Sequence, residues 1–274
     1  MYRFLMICLI GFAFACGGKE DAAPKGGGSA EVYDDGCGCG DGCGCGEEEG
    51  SGGEYTAAMG TATVKGTVRW EGDPPRRRPI DMGSEQFCTE THTEPLLSET
   101  TIVGSDGGLA NVFVHVTGGL GDWKFAKGSG DKTLDQHGCQ YVPHVLGMQV
   151  GQGLRIRNSD PIMHNVHAYD MKSGRDLFNM SQTQQGAEAV DNKVARRAGF
   201  VQVKCDVHGW MGAYVCITKY PFYAVTGEDG AFTLEKLPPG EYTIEAWHEK
   251  YGAKTATVTV GDGETGEVSF VFSK

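Results

Sequence analysis

From residue 60 onward the chain consists of short runs in which apolar and polar residues alternate one for one. Ala110-Asn111-Val112-Phe113-Val114-His115-Val116 is the clearest, and the pattern recurs at 154–157, 201–204, 242–247 and 255–260. Between the runs stand turn residues: Asp106-Gly107-Gly108, Gly151-Gln152-Gly153, Asp229-Gly230 and Pro238-Pro239-Gly240. A period of two places alternate side chains on opposite faces of a strand. Many such strands punctuated by Gly and Pro predict an all-β chain of sandwiches or barrels with few helices. Some 215 residues of this kind are long for one small sandwich, so two packed units are expected, with the seam near Lys219–Pro221. Residues 171–198 sustain neither period and read as a long excursion off the sheet.

The first 57 residues have a different character. One cation, Arg3, precedes an apolar run at 4–15, too short to span a bilayer and typical of a signal peptide. The ending Ala13-Phe14-Ala15-Cys16 resembles a bacterial lipobox, which implies cleavage before Cys16 and a lipid on that residue. An ordinary secretory signal cut at the same place is the alternative, and either predicts export. Gly17 after Cys16 favours the outer membrane, facing the periplasm or the cell surface. Residues 17–57 hold ten acidic and two basic side chains, much of the chain's net charge of −12, and almost no large apolar residues. Such a segment has no core to bury, so 16–57 reads as a disordered tether with a root-mean-square span of roughly 35 Å. Within it, Cys37, Cys39, Cys43 and Cys45 lie among Gly and Asp. Their thiols form either an accessory soft-metal cluster or the disulfides and inert sequence of an oxidising compartment. Arg76-Arg77-Arg78 is bracketed by prolines as a solvated loop tip, and without a basic face nucleic acid is not an expected partner.

The chemistry concentrates at Cys205-Asp206-Val207-His208-Gly209-Trp210-Met211. The strand at 201–204 delivers Cys205, the strand at 213–218 returns, and His208 and Met211 sit on the short loop between. A fourth donor is available from Met163-His164-Asn165-Val166-His167, which follows the strand at 154–158. Two imidazoles, a thiolate and a thioether form the ligand set of a trigonal copper site, whereas zinc normally avoids Met. His167 is an odd step from His164 and falls on the opposite strand face. Asn165 is placed to hydrogen-bond the backbone of the 205–211 loop.

Cys205-x-x-His208-x-x-Met211 with His164-Asn165 upstream resembles the amicyanin/plastocyanin branch of the cupredoxins. The resemblance implies His164, Cys205, His208 and Met211 as ligands of one type 1 copper ion in a Greek-key sandwich over 58–218, with strands at 60–116 completing it. Asp206 departs from the small polar residue usual after the ligand Cys, which bears on the hydrogen bonding around the sulfur. Val225-Thr226-Gly227-Glu228-Asp229-Gly230 and Leu237-Pro238-Pro239-Gly240-Glu241-Tyr242 resemble the carboxypeptidase regulatory-like (transthyretin-like) domain. That implies a small non-catalytic β-sandwich over 219–274.

Cys88 and Cys139 are expected to pair as a disulfide in an oxidising compartment, and Cys216 to be a buried small hydrophobe. His92, His115, His137, His144 and His248 are assigned ordinary structural roles. Trp210 either joins Pro161 and Ile162 in an apolar docking surface beside His208 or lies in the core beneath the loop. The leading expectation is a tethered single-electron carrier serving a c-type cytochrome or an oxidase, with no enzymatic activity. Copper delivery or sequestration and a non-redox surface binding module are the competing readings. The chain has no paired His-x-His motifs of the kind a multicopper oxidase requires.

Overall fold

A computed structural model describes residues 53–83 and 85–274. The expected signal peptide, Cys16 and the cysteines at 37, 39, 43 and 45 lie outside the described residues. Sixteen strands make up the regular structure, the sole α-helix among the described residues being the five-residue α1 (Gln86–Glu90), so the chain is all-β. Among those residues no helix is long and apolar enough to cross a membrane.

The strands form two sandwiches. In the first, the sheet β5-β11-β10-β7-β8 faces the sheet β4-β3-β6-β9. Its strands are β3 (Asp131–His137), β4 (Gln140–Val142), β5 (Val145–Gln149), β6 (Gly153–Asn158), β7 (His164–Asp170), β8 (Asp176–Gln182), β9 (Glu188–Asp191), β10 (Gly199–Lys204) and β11 (Gly212–Thr218). Between the sheets Leu134, Met148, Leu154, Ile156, Val166, Val203 and Val215 are fully buried. Each inward methylene removed from water contributes about 0.8 kcal/mol, so this layer is the main source of cohesion.

The second sandwich pairs β13-β1-β16 with β12-β2-β14-β15. It uses β1 (Ala62–Trp70), β2 (Phe113–Gly118), β12 (Tyr223–Val225), β13 (Ala231–Leu237), β14 (Gly240–His248), β15 (Gly252–Val260) and β16 (Thr265–Phe272). This corrects the expectation that strands at 60–116 complete the first sandwich. β1 runs parallel to β16, with Thr63 opposite Thr265 and Trp70 opposite Phe272, and antiparallel to β13. β2 pairs with β12 and β14. Alternation predicts a strand and its buried face, but it carries no information about which distant strand completes the ladder. The first sandwich is therefore inserted between strands of the second, the chain leaving the second after β2 and returning to it at 219–222. Asp229-Gly230 is one of the turns that closes the second. Gly230 has φ +68° and backs onto the Val68 carbonyl, a space no Cβ could share.

Two further expectations are corrected. Residues 176–182 and 188–191, read as part of an excursion, are β8 on the edge beside β7 and β9 beside β6. β8 is half-exposed along most of its length, so its sequence has no strong apolar face to announce it. The tether does not extend to residue 57: Tyr55 takes the Lys124 carbonyl, donates its hydroxyl to the Lys236 carbonyl and packs against Phe125 and Phe222. One aromatic side chain outweighed the polar composition around it. A third apolar cluster of Phe113, Val145, Cys216 and Trp247 joins the two sandwiches, and Cys216 is fully buried within it.

Candidate metal centre

Antiparallel pairing of β10 with β11 sets Lys204 opposite Gly212, so the seven residues from Cys205 to Met211 close as a tight loop. Inside it the Met211 N–H donates to the His208 carbonyl at 2.9 Å, and the Cys205 N–H reaches the Met211 carbonyl at 3.4 Å. β7 begins at His164, one sheet position away from β10. The structure thereby brings His164, Cys205 and His208 together, with Met211 buried on the same loop. His164, Cys205, His208 and Met211 are 0, 3, 5 and 3% exposed. His164 Nδ1 and His208 Nδ1 are 2.9 Å apart, and Cys205 Sγ is 3.7 Å from His208 Nδ1. Donor atoms of His164, Cys205 and His208 all lie within 4.8 Å of one another, close enough to share one ion. Two buried imidazole nitrogens aimed at each other beside a thiol need a cation or a proton between them, and a metal fits that donor set.

The surroundings prepare these donors. His164 Nε2 donates to Asp160 Oδ2 at 2.9 Å, which leaves Nδ1 facing the centre. Asp160, 2% exposed, also accepts the N–H groups of Gly138 and Cys139 at 2.7 and 2.8 Å. Burial penalises a charged His164, but the bond to Asp160 and the nearby Cys205 sulfur outweigh it and push its pKa up to about 8. Burial likewise disfavours the Cys205 thiolate. It is more than offset by His164 and by the backbone N–H groups of Asn165, Val207 and His208, so the thiol sits below its ordinary value. A lowered pKa favours the thiolate, the form that ligates metal. His208 is pushed down by burial and by His164, and its Nε2 lies 3.9 Å from a Glu85 carboxylate oxygen.

Asn165 holds the loop from β7. Its Oδ1 accepts the Asp206 N–H at 2.8 Å and the Cys205 thiol at 3.3 Å, and its Nδ2 donates to Asn179 and Asp206. Asp206 is turned outward, where its carboxylate meets His167 Nδ1 at 3.0 Å and accepts from Asn179 Nδ2 at 2.8 Å. His167 thus belongs to this outer network and lies away from the donor cluster. Trp210 is half-buried, 5.1 Å from the His208 ring, and donates Nε1–H to the Cys139 carbonyl, so it braces the loop from beneath. Cys88 and Cys139 are joined as a disulfide. Cys139 also lies near Asp160 and His164, but its sulfur is committed to Cys88.

Sequence reasoning missed Asp160, the residue that orients His164. Asp160-Pro161 reads as turn chemistry, and its place four residues before the ligand was the available signal. It also missed Glu85, which reaches the site on the segment carrying α1 and the disulfide.

A family model of the carboxypeptidase regulatory-like domain matches residues 199–273, beginning ahead of the expected boundary and taking in β10 and β11. Part of the chain is also similar to solved cupredoxins. A purple cupredoxin from Nitrosopumilus maritimus is 22% identical, covering 32% of this chain and all of that one, with a TM-score of 0.28. Amicyanin from Paracoccus versutus is 18% identical over 32% of this chain and 81% of its own, also with a TM-score of 0.28. A reduced amicyanin variant is 21% identical over 33% and 85%, with a TM-score of 0.29. No curated protein matches this chain.

Proposed function

We propose that this chain is an exported, lipid-anchored type 1 copper protein that carries single electrons to or from a redox protein such as a c-type cytochrome or an oxidase. The observation that carries the reading is the convergence of His164 Nδ1, His208 Nδ1 and Cys205 Sγ in a buried pocket, with Met211 closing the same loop. Two imidazoles and a thiolate with one thioether select copper over zinc. Copper held there supplies a one-electron couple between Cu(II) and Cu(I).

The protein's part is to fix the donors. Asp160 locks the His164 ring, Asn165 ties the Cys205 end of the loop to β7, and the Met211 carbonyl closes the other end. Donors held in this way rearrange little when the charge changes. Met163 and Val207, each adjacent in sequence to an imidazole ligand, are 42 and 48% exposed and give an apolar rim suited to brief docking. Export and anchoring rest on the run at 4–15 and on Cys16, and the second sandwich serves as a scaffold or docking module.

The test is spectroscopic. Protein loaded with Cu(II) is expected to show an intense visible thiolate-to-copper band that disappears in Cys205→Ser. A colourless Cu(II) form with normal stoichiometry would sink the assignment.

A further inference from the structure

Outside the ligand set, His144 touches both sandwiches. It lies just before β5, and its side chain is 10% exposed. Nδ1 stands 3.1 Å from the carbonyl oxygen of Gly212, the residue after Met211. Nε2 stands 2.6 Å from Oε1 of Glu249, which follows β14 in the other sandwich and is 8% exposed. A carbonyl and a carboxylate only accept hydrogen bonds. Both ring nitrogens must therefore donate, and only the imidazolium carries two N–H groups.

The groups around the ring set its charge. Glu99 Oε2 lies 3.8 Å from Nδ1 and is itself held by Gln140 Nε2 at 3.2 Å. Burial and the nearby Glu249 leave the Glu99 carboxyl raised on balance, although His144 and Arg77 draw it part of the way back. The Tyr214 ring stands edge-on at 5.8 Å, and burial together with Glu249 keeps its hydroxyl protonated. His248 is held down to about 4 by burial and adds no second cation. For His144 itself burial opposes charge, but Glu249, Glu99 and the Gly212 carbonyl prevail and raise it. The His144 carbonyl also accepts the Tyr214 N–H at 2.8 Å, so the residue grips the return strand by ring and backbone together.

We infer that His144, held as an imidazolium by Glu249, is a positioning residue through which the second sandwich secures the Met211 end of the metal loop. The role explains why a buried ion pair bridges two sandwiches that an apolar cluster already joins: it places one fixed charge beside the loop and anchors Gly212. Only its redox consequence rests on the copper reading.

The first test needs no metal. In the metal-free full chain, ¹⁵N NMR of the His144 ring, assigned by its loss in His144→Gln, is expected to show both nitrogens protonated at neutral pH. In Glu249→Gln, which keeps an acceptor but removes the charge, the ring is expected to titrate at lower pH. The Cys205 and Met211 amides are expected to exchange roughly tenfold faster, as the loss of a charge-assisted hydrogen bond implies. A singly protonated ring at neutral pH, or unchanged amide exchange in Glu249→Gln, overturns the inference. With copper bound, the potential is expected to fall as His144 loses its proton, and the step to vanish in His144→Gln. Identical pH profiles for the two proteins overturn the redox consequence. A protein that binds no copper refutes the copper assignment and leaves the NMR result standing.

Discussion

Asp160 and His164 are both buried, and the 2.9 Å bond between Oδ2 and Nε2 fixes which imidazole nitrogen faces the centre. Asp160 is anchored in turn by the Gly138 and Cys139 amides. Removing its charge while keeping its shape tests the link. Asp160→Asn is expected to weaken copper binding by about 10–100-fold, the usual cost of losing such a partner. Competition with a chelator of known affinity measures this, and unchanged binding would show that His164 holds its orientation without help.

The same pair predicts a pH dependence. In the metal-free protein His164 is raised from 6.5 to about 8. Its contribution to stability is therefore complete below 6.5 and is lost as the pH rises through about 8. Copper must displace that proton, so apparent affinity is expected to climb about tenfold per pH unit below 8 on this account and to flatten above it. The lowered Cys205 thiol acts in the opposite sense on stability, its contribution being complete only above the ordinary thiol value of 9.0. Asp160→Asn is expected to bring the His164 titration down, and NMR of the metal-free protein follows it directly.

Glu85 places a carboxylate 3.9 Å from His208 Nε2. An anion beside a ligand favours the more positive metal state, so Glu85→Gln is expected to raise the reduction potential. The pair is part-exposed and worth 0.2–1 kcal/mol at most, which corresponds to about 10–40 mV for one electron. Because screening is strong, the difference between the two proteins is expected to shrink in high salt. Voltammetry at two ionic strengths decides it.

What could be read from the sequence follows from the range of the interactions involved. Cys205, His208 and Met211 lie on one loop between alternating strands, so their proximity is local and their spacing reveals it. His164 required only a neighbouring strand. The destination of β1 was not legible, because its partner β16 lies at the far end of the chain and alternation is the same whichever sheet accepts it. β8 escaped notice since its apolar residues, Leu177, Phe178 and Met180, are only partly buried on an edge strand. Asp160 was hidden for a different reason: beside Pro161 it has a sufficient explanation as a turn residue, and its second role appears only when the 138–139 backbone is brought against it.

Asn165 secures the opposite side of the loop. Asn165→Ala would leave the Asp206 N–H without its acceptor and free the Cys205 sulfur from Oδ1. A lost bond of this kind at a buried position costs about 1–3 kcal/mol. Chemical denaturation of the metal-free protein is expected to show that loss. In the copper form the visible band is expected to shift, since the sulfur's hydrogen bonding changes. A stability loss without any spectral shift would confine Asn165 to holding the loop.

The Cys88–Cys139 disulfide connects the segment bearing Glu85 to the hairpin whose amides hold Asp160. Its cysteines are 51 residues apart, and closing a loop of that length stabilises a fold by up to about 4 kcal/mol through the unfolded chain. The double variant Cys88→Ser/Cys139→Ser is therefore expected to lose about 2–4 kcal/mol. Two consequences should accompany that loss if the disulfide also serves the site. With the Cys139 amide less firmly placed, Asp160 releases part of its hold on His164, so copper affinity falls; with the segment freed, Glu85 moves from His208, so the potential rises as in Glu85→Gln. Combining the serine pair with Glu85→Gln separates the effects, because the potential of the triple variant is expected to match that of Glu85→Gln alone. Additive shifts would mean that the disulfide acts on the centre by a route other than Glu85.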